Sequence, residues 1–155
     1  MFQPKVVDVL NRLLANQCFS LVDYLSEAPP WTHSGNEPLV EGIRGILHDH
    51  EHYAQRLAEA IDERRGRVNS GTFPMAFMSL NYLALDYLLT RLIENQQHDI
   101  QATERCVAEL VEDPLAWSLA SEVLGSERAH LDILREFLPR NIPIPNDDEI
   151  HSKVA

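Results

Sequence analysis

Four long stretches of this chain repeat apolar residues every three or four positions, and almost nothing alternates with period two. That pattern leaves little room for a sheet and asks for amphipathic helices packed on one another. The first stretch runs from about residue 4 to 26, with the stripe Val6, Leu10, Leu13, Leu14, Leu21, Tyr24 and Leu25. It ends in EAPPWTHSGNEP, a cluster of turn and breaker residues. The second spans 38–65, opening at Pro38 and closing at Arg64, Arg65 and Gly66. The third covers 77–110, with Leu80, Leu83, Tyr87, Leu88, Leu92 and Cys106 on its stripe. The fourth, 114–138, follows Asp113 as its N-cap and carries Leu119, Ala120, Val123, Leu131 and Leu134. One helical domain over 1–140 is expected, followed by an extended, acidic, proline-rich tail over 141–155.

Four such helices make a four-helix bundle the expected architecture, all-α. Its connectivity follows from length. The 13 residues between Arg65 and Ser79 can extend ~43 Å, enough to return along the bundle between the second and third helices.

Composition narrows the function. Lys and Arg number 13 against 24 Asp and Glu, a net charge of −11. A chain this acidic repels phosphate backbones, which argues against nucleic acid as partner. No apolar run reaches the ~20 residues of a membrane span, and the start has no basic region leading into an apolar one. A cytoplasmic protein is expected, with Cys18 and Cys106 as reduced thiols and no membrane partner.

The informative residues interrupt the stripes. Gln17 falls on the core line of the first helix, His50 and Tyr53 on that of the second, and Glu127 and His130 on that of the fourth. On the third, the line from Leu80, Leu83 and Tyr87 continues through Arg91, Glu94 and His98. Buried charge is costly unless it is paired or bound to a metal. Gln17 to His50 and Glu94 to Glu127 share a 33-residue spacing, and one shift carries Gln17, His50 and Tyr53 onto Glu94, Glu127 and His130. The chain thus reads as two similar helix pairs whose polar residues meet at one level. Glu127-x-x-His130 places both side chains ~60° apart on one helix face, a turn apart in height, where both can reach one ion. His48 and His52 share a face that points away from His50, as a solvated pair.

LNRLLANQCFSLVDYL resembles the first helix of bacterioferritin, and SERAHLDIL is similar to the fourth-helix metal motif of the ferritin-like superfamily. The resemblance covers about residues 5–138. It implies a ferritin-like bundle with a long crossover between helices 2 and 3 and a metal centre in its middle. Two departures qualify it. Gln17 stands where the family has a helix-1 Glu, and His50-x-x-Tyr53 where it has Glu-x-x-His. Half of the di-iron pattern is therefore retained. The resemblance then implies one transition metal ion, iron first, zinc or manganese as alternatives, held by Glu94, Glu127, His130 and His50. Weak or no ferroxidase activity is expected, because two carboxylates neutralise one divalent ion. Glu51 occupies the position of the family's haem-binding methionine, so no haem is expected. The alternative is a metal-free relative acting as a structural or interaction protein. In either case a homodimer is the expected assembly.

Overall fold

A computed structural model describes residues 3–69 and 71–139. The expected tail over 141–155 lies outside them. Among the described residues the chain is helical throughout, with no strand and one isolated backbone bridge between Trp31 and Ala84. Its helices are α1 (Pro4–Cys18), α2 (Leu21–Glu27), α3 (Glu37–Glu63), α4 (Leu85–Glu109) and α5 (Pro114–Glu136), with short 3₁₀ turns at Ser34–Asn36 and Met75–Leu80. None is long and apolar enough to cross a membrane.

Two of the expected helices are corrected. The first does not run unbroken to residue 26: it stops at Cys18, and α2 restarts after Ser20. The cause is local. The Ser20 hydroxyl accepts from the Asp23 amide while the Asp23 carboxylate accepts from the Ser20 amide, a capping box that favours a new N-terminus. The third helix starts at Leu85 rather than 77. Tyr82 sits at φ 66 and Asn81 and Ala84 are extended, so the preceding 3₁₀ turn cannot propagate into α4.

Two apolar clusters fix the directions of the helices. At one end, Val7, Leu10 and Leu13 of α1 and Ala116, Leu119 and Val123 of α5 pack with Leu57 and Ile61 of α3 and Cys106 of α4. At the other, Leu21 and Leu25 of α2 pack with Leu39 and Ile46 of α3, Leu88 and Leu92 of α4, and Leu131 and Leu134 of α5. The N-terminal halves of α1 and α5 thus share an end with the C-terminal halves of α3 and α4. Helices α3 and α4 therefore run in the same direction. The segment joining them is pinned along α1 and α2. Asn11 bonds the backbone of Arg67 and Asn69, Phe73 stacks edge-on against Phe19 and Tyr24, and Leu83 and Leu85 pair with the Trp31 backbone.

The ends of α3 and α5 are tied together. The Arg64 guanidinium donates twice to Asp113 at 2.9 Å, and Asp113 also caps α5 by accepting from the Ala116 amide. The chain leaves α3 in a Schellman turn, with the Gly66 amide on the Ile61 carbonyl and the Arg65 amide on that of Asp62. Arg65 adopts φ 58 there, a conformation that a side chain resists. Arg65→Gly is expected to raise stability by ~0.5–1 kcal/mol, read as a higher urea midpoint at unchanged slope. The opposite change is expected at Gly66, where a Cβ would lie 2.6 Å from both methyls of Val7.

Candidate functional site: a buried polar layer between the two apolar clusters

A polar layer lies between the two clusters. Every long helix contributes to it: Gln17 from α1, His50 from α3, Gln96, Asp99 and Thr103 from α4, Glu127 and His130 from α5, with Asp23 from α2. Three carboxyl groups and two imidazoles are buried here, and no Lys or Arg is buried among the described residues.

Glu127 is the most enclosed acid, 2% exposed. Gln17 Nε2 donates to its Oε1 at 2.7 Å, and Thr103 Oγ1 lies 3.0 Å from its Oε2. Thr103 Oγ1 is also 2.9 Å from the Asp99 carbonyl. The hydroxyl has one proton for these two contacts. When the Asp99 carbonyl takes it, a neutral Glu127 supplies the other. Burial pushes the Glu127 carboxyl up to about 8, and the nearby Asp99 charge adds to the rise. Asp99 itself is raised to about 7, again chiefly by burial, with His50 pulling the other way. Gln96 Nε2 completes the layer by donating to the Glu127 carbonyl at 2.9 Å.

The two histidines are built alike. His50 Nδ1 is 3.0 Å from Asp23 Oδ1, and His130 Nε2 is 2.8 Å from Asp49 Oδ2. Each imidazole thus has a carboxylate on one nitrogen. The other nitrogen of His130, Nδ1, is buried with no hydrogen-bond partner. The rings face each other edge-on, centroids 5.4 Å apart. Burial lowers the His130 pKa, favouring the neutral ring, with Asp49 opposing. A neutral ring that donates Nε2–H to Asp49 leaves a lone pair on Nδ1. This carboxylate–imidazole arrangement orients histidines in metal sites.

The expected site residues divide sharply. His50, Glu127 and His130 come together in the layer, with Gln17 beside them. Glu94 does not. It lies on the exposed side of α4, facing Arg91 at 3.5 Å, and Arg91 and His98 are exposed with it. The turn at Tyr82–Ala84 resets the helical phase, so the line drawn through Leu80, Leu83 and Tyr87 does not continue into α4. From Leu85 on, the core positions are Leu88, Leu92, Gln96, Asp99, Thr103 and Cys106. Glu94 is two residues from Leu92, or ~200° around the helix. The repeat that carried Gln17 onto Glu94 fails with it. Tyr53 is half-buried against the first apolar cluster, with Arg56 over its ring, and makes no hydrogen bond to the layer among the described residues. His48 and His52 are exposed, as expected.

Asp23, Asp99, Gln96 and Thr103 were not anticipated. Asp23 was legible as the fourth residue of the Ser20-x-x-Asp23 box. The others lie on the line from Leu92 to Cys106, both already placed on the stripe. Among the described residues no three His, Cys, Asp or Glu side chains converge on one point as metal ligands. A groove of ~990 Å³ is lined by Pro4, Lys5, Glu63 and Leu115 at the far end of the helices and does not reach the layer. Burial raises the thiol pKa of both Cys18 and Cys106, which keeps them protonated and unreactive.

No known protein family matches the chain, and no curated protein matches it. The functional reading therefore rests on the layer itself.

Proposed function

We propose that this chain is a ferritin-like four-helix bundle that binds one transition metal ion in its buried polar layer. The parallel course of α3 and α4, with the joining segment laid along α1 and α2, supports that topology. The observation that carries the metal reading is the pair of carboxylate-backed imidazoles, His50 on Asp23 and His130 on Asp49, with Nδ1 of His130 buried and unpartnered. The ion would be held by His50, His130 and Glu127, with Asp99 in the role that the resemblance implies for Glu94. It would supply the positive charge that the layer lacks, and favour ionisation of the two acids whose pKa values burial raises.

Iron is the first choice, with manganese and zinc as alternatives, because mixed nitrogen and oxygen ligands suit all three. Two carboxylates balance one divalent ion, so a single ion per chain is expected. Oxidation of Fe(II) by O₂ is expected to be slow, and stopped-flow mixing at two Fe(II) per chain measures it. Rapid oxidation of both equivalents would contradict the one-ion reading.

A second reading has its own support. Both Glu127 oxygens are already engaged by Gln17 and Thr103, so protons alone can neutralise the layer. The chain would then be a metal-free structural or interaction protein. Calorimetric titration with Fe(II), Mn(II) and Zn(II) separates the two. The metal reading expects one site that disappears in His130→Ala and survives in His48→Ala. The metal-free reading expects no saturable heat, or heat that His48→Ala removes.

A further inference from the structure

Five large apolar side chains stand out in solvent on or beside the segment that joins α3 to α4. They are Trp31 (69% exposed), Met75 (83%), Met78 (61%), Tyr82 (82%) and Tyr87 (57%). The backbone gathers three of them. Trp31 pairs with Leu83 and Leu85 on either side of Ala84, which sets its backbone beside the Tyr82 turn and the first turn of α4 that carries Tyr87. Met75 and Met78 are three apart on the 3₁₀ turn, where residues at that spacing eclipse and share a face.

Tyr82 makes the arrangement unusual. Its φ of 66 lies in the left-handed region, where a bulky residue is strained. Yet 82% of it faces solvent, so no intrachain packing compensates the strain. A glycine or asparagine would serve the turn better.

We infer that this face is a self-association surface, covered by a second copy of the chain packed about Trp31 and Tyr82. The area argues for it. Side chains of this size present on the order of 700 Å² together. The largest apolar patch on a typical monomer is ~300–600 Å², and a stable interface removes ~800 Å² from each partner. Charge argues against a basic peptide as occupant. The acid at the patch, Asp86, is already held by His33 Nε2 at 2.6 Å and Asn36 Nδ2 at 2.7 Å. A second copy needs no such partner, since its matching side chains are uncharged. A two-fold contact would bring the same apolar residues of both chains together.

Sedimentation equilibrium on the full chain tests this, with Trp31→Ser and Tyr82→Gly as variants. The wild type is expected to dimerise at micromolar concentration. Each variant is expected to weaken the dimer by roughly thirtyfold, the loss of an interface anchor. Tyr82→Gly relieves strain, so its monomer should melt no lower than wild type, which separates a lost contact from a damaged fold. A wild type that stays monomeric, or variants that dimerise as tightly as it does, would overturn the inference. So would a photo-cross-linker at Met75 that captures residues 140–155 of its own chain instead of a second copy.

Discussion

Replacing Glu127 with alanine is expected to cost ~2–4 kcal/mol and to abolish stoichiometric metal binding, whereas Glu127→Gln should abolish binding at little cost. The two variants part because of what surrounds the side chain. Alanine strands Gln17 Nε2 without an acceptor in a buried site and opens a cavity beside Thr103. Glutamine fills the same volume. Its carbonyl accepts from Gln17, and its amide donates to Thr103 as the neutral acid does. It cannot supply the negative charge that an ion needs. Urea unfolding and metal analysis on both variants give the result. A glutamine variant as unstable as the alanine variant would show that Glu127 is ionised in the native layer.

The metal-free protein is expected to lose stability as the pH rises from 6.5 to 8, by ~2–3 kcal/mol. Glu127 and Asp99 have folded pKa values of about 8 and about 7, raised from the ordinary values of 4.5 and 3.8. The folded state therefore holds protons that the unfolded chain has released. Such groups stabilise fully below the unfolded values and lose that contribution as the pH climbs through the folded ones. Each can contribute a slope of at most ~1.4 kcal/mol per pH unit. His130 acts in the opposite sense, since its pKa is lowered from 6.5, but its contribution is complete above that value. The window above pH 6.5 thus isolates the two acids. A bound divalent ion should reverse the trend, because it binds the ionised carboxylates and releases their protons. Melting temperatures across the window, with chelator and with saturating metal, provide the measurement. A flat or rising profile in chelator would show that the acids are already ionised.

The helices were legible in the sequence because their apolar spacing is regular and their ends are marked. Pro114 after Asp113 and the Arg64–Gly66 stop sit where the helices begin and end. Glu127, His130, His50 and Gln17 were legible for the same reason, since each lies deep inside a helix whose phase is constant. Glu94 lies outside the layer because the break before Leu85 interrupts the helical phase that periodicity alone continues. The break depends on Tyr82 taking a left-handed φ and on Trp31, fifty-one residues earlier, pairing with Ala84. Neither is encoded in local periodicity. Asp99 and Thr103 lie between Leu92 and Cys106 on the apolar stripe itself, but periodicity alone does not show that these polar residues rather than Glu94 face the core. Asp23 was missed for a different reason. A stripe running smoothly from Leu14 through Leu21 to Leu25 hid the capping box that divides it.

One ion per chain is expected in the layer of His50, Asp99, Glu127 and His130. Plasma mass spectrometry on protein purified without chelator, then reconstituted with Fe(II), Mn(II) or Zn(II) and desalted, measures it. The expected result is one equivalent per chain for at least one of these metals, lost in His50→Ala and in His130→Ala and unchanged in Glu94→Ala. No retained metal under any of these conditions, or full occupancy in the His130→Ala protein, would contradict a metal site in the layer.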